Sequence, residues 1–293
     1  MRKAILFVLC AILFASCAGG DFYGDETEGA VVSEKTGAKK FTFTVKGKFS
    51  QPEYEGMTRG YLDADGKAMT DLWVYDYVDG HCVQTLHQVP ADSAWGRPQL
   101  SLDYGTHHVY FVASRGKGAV ADTAANTITW TSVSDTFWKD YEVEVKPTSN
   151  GRRAVTLERV ATRLRVCFED KVPANMAAVA ITPAHWYYGL DYVSGAAVAD
   201  SNKPLRFDIP SDYAGRDGFA VSAYGISPAE EWTTDVGITA TDAGGAVIGE
   251  GTIEGAPMMR NRTTVYTGRL FGEDEQFEIS LADGWNDDKT GTF

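Results

Sequence analysis

The side chains best suited to chemistry in this chain are five histidines, four cysteines and a few close-set carboxylates, and their spacing decides what they can do. His107 and His108 are adjacent in a strand-like run, so they point to opposite faces and cannot hold one metal ion together. Zinc hydrolysis would need His-Glu-x-x-His and acyl transfer a Gly-x-Ser-x-Gly elbow; neither motif occurs. Asp63-Ala64-Asp65-Gly66 has the opening of a calcium loop without its later ligands or closing Glu, and reads as a tight turn. Gly116-Lys117-Gly118 lacks the spacing of a phosphate loop and reads as a hairpin tip. Glu230-Glu231 beside Trp232 has the residue types of a glycosidase pair, but neighbours in a chain need not face each other, and the stretch after Pro228 reads as a loop. These absences describe a non-enzyme with no metal and no cofactor.

Cys17 has a clearer chemistry. Arg2 and Lys3 precede an almost purely apolar run, Ala4 to Phe14, too short for the roughly 20 residues that span a bilayer. The run ends Phe14-Ala15-Ser16-Cys17, which resembles a bacterial lipobox with Phe14 in place of the usual Leu. Residues 1–16 are read as a lipoprotein signal and Cys17 as the acylated N-terminus, since several acyl chains at roughly 0.8 kcal/mol per buried methylene hold firmly. Residues 17–38, poor in apolar side chains, form a flexible tether. Two cysteines remain, Cys82 and Cys167, in strand-like runs that read as two separate buried thiols.

What must position any site is β-structure. The 293 residues are 44% hydrophobic and 12% aromatic, enough for a real core and too much for wholesale disorder. The net charge of −13, without any Lys/Arg block, argues against a nucleic-acid partner. Phe41, Phe43, Val45 and Phe49 alternate with polar residues, the period of a half-buried strand. Leu72 to Tyr75, the apolar Val109 to Val112, and Tyr141, Val143 and Val145 continue the signal. Pro147 to Gly151 interrupts it, and the boundary between an N-terminal sandwich, 39–148, and a C-terminal one, 149–293, is placed there. Leu164-Val166-Phe168, Leu205-Phe207-Ile209, Phe219-Val221-Ala223, Val236-Ile238-Ala240 and Phe277-Ile279-Leu281 repeat the alternation beyond it. Many short strands at this spacing predict antiparallel sandwiches. Leu157, Val160, Ala161 and Leu164 give the one helical spacing, a turn or two at most. The aromatic run His185-Trp186-Tyr187-Tyr188 offers rings that could stack on sugars; alternation puts Trp186 and Tyr188 on one face and Tyr187 on the other, so half of the run is core. Trp186 and Tyr187 are the candidate ligand contacts.

Several segments, in order, resemble the fimbrillin superfamily of Bacteroidetes lipoproteins, which build or cap type V pili. They are the lipobox, the Phe/Thr/Val strand, the loop Met57-Thr58-Arg59-Gly60, the run Met69-Thr70-Asp71-Leu72-Trp73-Val74-Tyr75-Asp76, the run Leu157 to Val166, and Arg260-Asn261-Arg262-Thr263-Thr264-Val265-Tyr266. The resemblance implies an all-β chain of two tandem transthyretin-like sandwiches. It also implies partners among other fimbrial subunits, joined by strand exchange, with Arg59 as the candidate processing site in stalk or tip subunits. Anchor subunits keep their lipid and first strand at the outer membrane. An anchor or accessory subunit on the cell surface or fimbrium is the expected role, and a glycan-binding surface lipoprotein, meeting host or bacterial ligands, the alternative. Asp92-Ser93-Ala94 and Asp122-Thr123-Ala124 resemble the acceptor of Bacteroidetes O-glycosylation, which makes Ser93 and Thr123 candidate modification sites.

Overall fold

A computed structural model describes residues 37–47, 69–216, 219–271 and 276–282. Cys17, Arg59, Phe49 and the Asp63 to Gly66 turn lie outside the described residues. In chain order the strands are β1 (Ala38–Gly47), β2 (Asp71–Val78), β3 (His81–Gln88), β4 (Gln99–Asp103), β5 (Gly105–Ser114), β6 (Val120–Asp122), β7 (Thr127–Thr129), β8 (Thr136–Val145) and β9 (Arg152–Arg159). They continue as β10 (Ala161–Phe168), β11 (Met176–Pro183), β12 (Tyr187–Asp191), β13 (Ala197–Asp200), β14 (Leu205–Asp208), β15 (Ala220–Ile226), β16 (Glu231–Asp242), β17 (Val247–Met259), β18 (Thr263–Arg269) and β19 (Gln276–Ala282). The helical content of the described residues is one 3-10 turn, Ser211–Tyr213.

The first seven-stranded sheet has the order β3-β2-β5-β8-β9-β1-β4. It bends back on itself where β8 and β9 share only Phe137↔Arg159 and Trp138↔Glu158. One cluster of buried side chains therefore collects residues from both arms, including Phe43 of β1 and Phe111 of β5, whose rings meet edge-on at 5.2 Å. The alternation in β1 is realised as read, with Phe41, Phe43 and Val45 all buried.

A second core lies between the sheets β15-β10-β18-β19 and β14-β11-β16-β17. Leu164, Val166 and Phe168 of β10 face Val236, Ile238 and Ala240 of β16, again the rows that alternate in sequence. A small sheet, β13-β12-β7-β6, covers the outer face of β2 and β5 and makes a third cluster with Trp73, Tyr75, Tyr77, Tyr110 and Val112. This explains the run Leu72 to Tyr75: β2 is buried on both faces, so alternation gives way to continuous apolar sequence. Val109 to Val112 is central as expected, with β5 between β2 and β8.

Two expectations change. Leu157, Val160, Ala161 and Leu164 are not helical: Leu157 lies in β9, which ends at Arg159, Val160 is a one-residue link and Ala161 starts β10, so the spacing comes from two strands abutting. The break at Pro147 to Gly151 is the turn between β8 and β9, and β9 sends Val155 and Leu157 into the first core. The chain passes towards the second core at Val160.

Candidate functional site

β1 occupies a slot between β4, antiparallel from Ala38↔Asp103 to Thr42↔Gln99, and β9, parallel from Thr42↔Arg152 to Gly47↔Leu157. Past the end of β4 the edge is continued by Phe43 N–H donating to Pro98 O at 3.0 Å and Val45 N–H to Gly96 O at 3.1 Å. The start of β9 approaches so closely that a Cβ on Gly151 would sit 2.2 Å from Lys40 O, so only glycine fits there. Arg153 lies over the Phe41 ring at 5.1 Å. The strand nearest the N-terminus is thus an interior strand of the sheet, and residues 48–68, which carry Arg59, follow it in sequence.

Four of the five histidines, His87, His107, His108 and His185, have a carboxylate partner. His107 is buried, with Nδ1 2.8 Å from Asp76 Oδ1 and Nε2 3.0 Å from Asp103 O. Burial pushes the Asp76 carboxyl up, against the lowering pull of His107. His108, on the opposite face, meets Asp140 at 3.1 Å. Among the described residues no group of three His, Cys, Asp or Glu is placed to hold a metal ion. Cys82 and Cys167 are both free thiols.

Ser93 and Thr123 are exposed in turns. The preceding aspartate shapes each turn: Asp92 Oδ2 accepts from Val89 N–H at 2.8 Å, and Asp122 Oδ1 from Ala124 N–H at 2.9 Å.

The aromatic run corrects one expectation. Trp186 cannot meet a ligand, because it is wholly buried. Its Nε1–H donates to Tyr224 O at 2.9 Å, and its ring lies flat enough on Gly225 that a Cβ there would come within 2.8 Å. Trp186 caps the free edge of β15, an edge strand that would otherwise offer unpaired backbone groups. Tyr187 is half-buried, edge-on to Trp232 at 5.9 Å. Tyr188, also half-buried, instead lines an open cleft of about 970 Å³ with Asp200, Lys203, Arg206, Phe207 and Tyr224. The cleft lies between β14, β15 and the strands β7 and β12 of the small sheet. Sequence reasoning reached Phe207 only as a strand residue; the end of β13 and the loop that follows it bring Asp200 and Lys203 to the same opening.

A buried ion pair joins distant segments. Arg159 donates from Nε to Asp135 Oδ1 at 2.6 Å and from Nη2 to Asp135 Oδ2 at 3.1 Å. Its Nη1 donates to Asn261 Oδ1 at 2.8 Å. Asn261, in the Arg260-Asn261-Arg262 run, takes a left-handed turn conformation (φ 57°) just before β18.

Residues 118–292 match the model of a family of unknown function, DUF6562, a span that contains the whole cleft and begins after β1. No curated protein matches the chain in sequence. Among solved structures it is similar to a candidate adhesin from Bacteroides ovatus (TM-score 0.52, 11% identity, covering 80% of this chain and 88% of that one). It is also similar to a candidate polysaccharide-binding protein from Bacteroides thetaiotaomicron (TM-score 0.50, 8% identity, 85% and 99%). The fimbrial anchor protein of Porphyromonas gingivalis is a further neighbour (TM-score 0.43, 11% identity, 84% and 98%). The first two likenesses show a shared fold.

Proposed function

The chain belongs to the DUF6562 family, and from that premise we propose that it is a non-enzymatic lipoprotein of the bacterial cell surface, an anchor or accessory subunit of a type V pilus. Cys17 carries the lipid that holds it at the outer membrane, residues 17–38 are the tether, and the folded part is a pair of tandem transthyretin-like sandwiches. Other fimbrial subunits are its partners through β-strand complementation. The observation that carries this reading is the position of β1, a strand that buries Phe41, Phe43 and Val45, is lodged between β4 and β9 and is followed by the segment bearing Arg59. Such a strand can be kept in place, as an anchor needs, or exchanged for a donor whose alternate side chains fill the same pockets.

The test is the N-terminal mass of the mature protein taken from its native membrane. A diacylated or triacylated Cys17 followed by the uncut chain supports the anchor; an N-terminus at Gly60 supports a processed stalk or tip subunit and overturns the anchor. Cys17→Ala is expected to release the protein from the membrane fraction, and incorporation of labelled fatty acid into that variant would refute the lipid assignment. A second reading, glycan binding at the surface, is supported by the aromatic-lined cleft and by the polysaccharide-binding description of one fold neighbour.

A further inference from the structure

The cleft has a composition that narrows its ligand. Its lining includes three half-buried aromatics, Tyr188, Phe207 and Tyr224, and the hydroxyls of Ser201 and Ser222. Its volume of about 970 Å³ lies at the upper end of the range of roughly 300–1,000 Å³ usual for ligand pockets. The charged residues of the lining are Asp200, Lys203 and Arg206.

Those charges are unequally available. Asp200 is already engaged through both oxygens: Oδ2 meets His185 Nδ1 at 2.7 Å, and Oδ1 accepts the Trp186 N–H at 3.0 Å. Lys203 has no hydrogen-bond or ion-pair partner for its ammonium among the described residues. Arg206 spends only Nε, on Asp208 Oδ1 at 3.0 Å, in a pair whose side chains are 57% and 82% exposed. An exposed pair of that kind holds weakly, and an incoming carboxylate can take the two terminal nitrogens of the guanidinium as a fork. In a chain of net charge −13, the opening therefore presents two accessible cations, Lys203 and Arg206, with Asp200 engaged through both oxygens and the exposed Asp208 beside Arg206 just outside the lining.

The geometry also decides against an added peptide strand. β15 borders the cleft, but the indole of Trp186 occupies the Tyr224 carbonyl, so a strand added along that edge would lose its pairing at that residue. What remains is a ligand that offers flat apolar faces, many hydroxyls and negative charge.

We propose that the cleft between β14, β15 and the small sheet binds an acidic oligosaccharide, a chain of pyranose rings bearing carboxylates. Tyr188, Phe207 and Tyr224 supply stacking surface for the ring faces, Ser201 and Ser222 bond ring hydroxyls, and Lys203 and Arg206 receive the carboxylates. This inference rests on the glycan-binding reading of the cleft and adds the charge preference to it.

The experiment uses the full chain in detergent and titration calorimetry with tetragalacturonate, its fully methyl-esterified form and a tetraglutamate peptide. The acid sugar should bind at least about tenfold more tightly than the ester, and more weakly as salt rises. Replacing both cations, Lys203→Ala with Arg206→Ala, should erase that preference by bringing the affinity for the acid sugar down to that for the ester; both side chains are exposed, so the fold should tolerate the change. Equal binding of acid and ester, or a double variant that keeps the preference, overturns the charge assignment and leaves glycan binding standing. Binding of tetraglutamate as tight as that of the acid sugar overturns the sugar assignment. No binding of either sugar at millimolar concentration removes both readings.

Discussion

Deleting β1 should cost domain-scale stability, and the size follows from what the strand buries. Phe41, Phe43 and Val45 are 0%, 0% and 1% exposed. Each fully buried side chain of this size contributes roughly 1.5–3 kcal/mol, so the three together contribute about 5–9 kcal/mol. Native domains are stable by only about 5–15 kcal/mol. The strand also pairs on both edges, so its loss strips partners from β4 and β9 and leaves two new sheet edges. A chain beginning at Gly60 should therefore lose cooperative unfolding of the first core in a urea titration, bind a hydrophobic dye and self-associate. Adding a synthetic peptide of residues 38–47 should reverse all three, because the slot reads alternate side chains and a backbone edge, not covalent continuity. Phe43→Ala in the intact chain is the graded version, with an expected loss of about 3–5 kcal/mol, since Phe43 packs on Phe41, Phe111 and Tyr141. A chain starting at Gly60 that is monomeric, free of dye and as resistant to urea as the full one would show the strand to be dispensable, and strand exchange in this core would fall with it.

Three other outcomes are expected. Arg159→Met strands the buried carboxylate of Asp135 and should lower unfolding free energy by about 3–5 kcal/mol in urea, whereas replacing both partners by apolar residues should recover much of it. Burial, the largest influence, holds the Tyr75 and Tyr192 hydroxyls well above the ordinary tyrosine range. The unfolded chain releases these protons near pH 10 while the folded chain keeps them, so stability is full below about pH 10 and declines as pH rises past it. Tyr75→Phe should flatten that decline, and it should leave neutral-pH stability equal or higher, because the buried Tyr75 hydroxyl has no hydrogen-bond partner among the described residues. Ser93 and Thr123, exposed beside turn-forming aspartates, should carry added hexose mass in native protein; an intact mass equal to the sequence plus lipid would refute this.

Where one face of a strand meets a core and the other meets solvent, the sequence announces it. β1, β16 and the C-terminal halves of β8 and β10 alternate along the chain, and the buried rows there are those that alternation names. The signal weakens wherever solvent claims more of the strand. β17 is 13 residues long, yet only Ile253, Ala256 and Met258 are buried, because it is an edge strand carrying Gly and Glu on its open side. The β6–β7 hairpin is so short that pairing with β12, far along the chain, is what makes it part of a sheet. Such partners are set by tertiary contact, which period alone does not encode. The apparent helix at Leu157 to Leu164 fails for a related reason: a one-residue link between strands shifts the phase of alternation and counterfeits a three-four spacing.

Trp186 shows the limit most sharply, since its residue type promised a ligand platform and its neighbours made it a plug. The deciding residues are Gly225, which lets the indole lie on the strand, and the Tyr224 carbonyl that it satisfies, both nearly forty positions away. The same plug that removes Trp186 from recognition takes up the Tyr224 carbonyl on the free edge of β15, beside the cleft. On the two proposed readings, strand complementation and surface recognition fall to different cores: the slot of β1 in the first, the cleft beside the second. They are not mechanically independent. β9, the parallel neighbour of β1, ends in Arg159, whose guanidinium holds Asn261 at the start of β18. Loss of β1 leaves β9 without its partner along Thr42 to Gly47 and loosens the strand that positions this guanidinium. A retained first strand therefore stabilises its own core and also keeps the link to the second core in place, the mechanical continuity that the proposed anchor role would require.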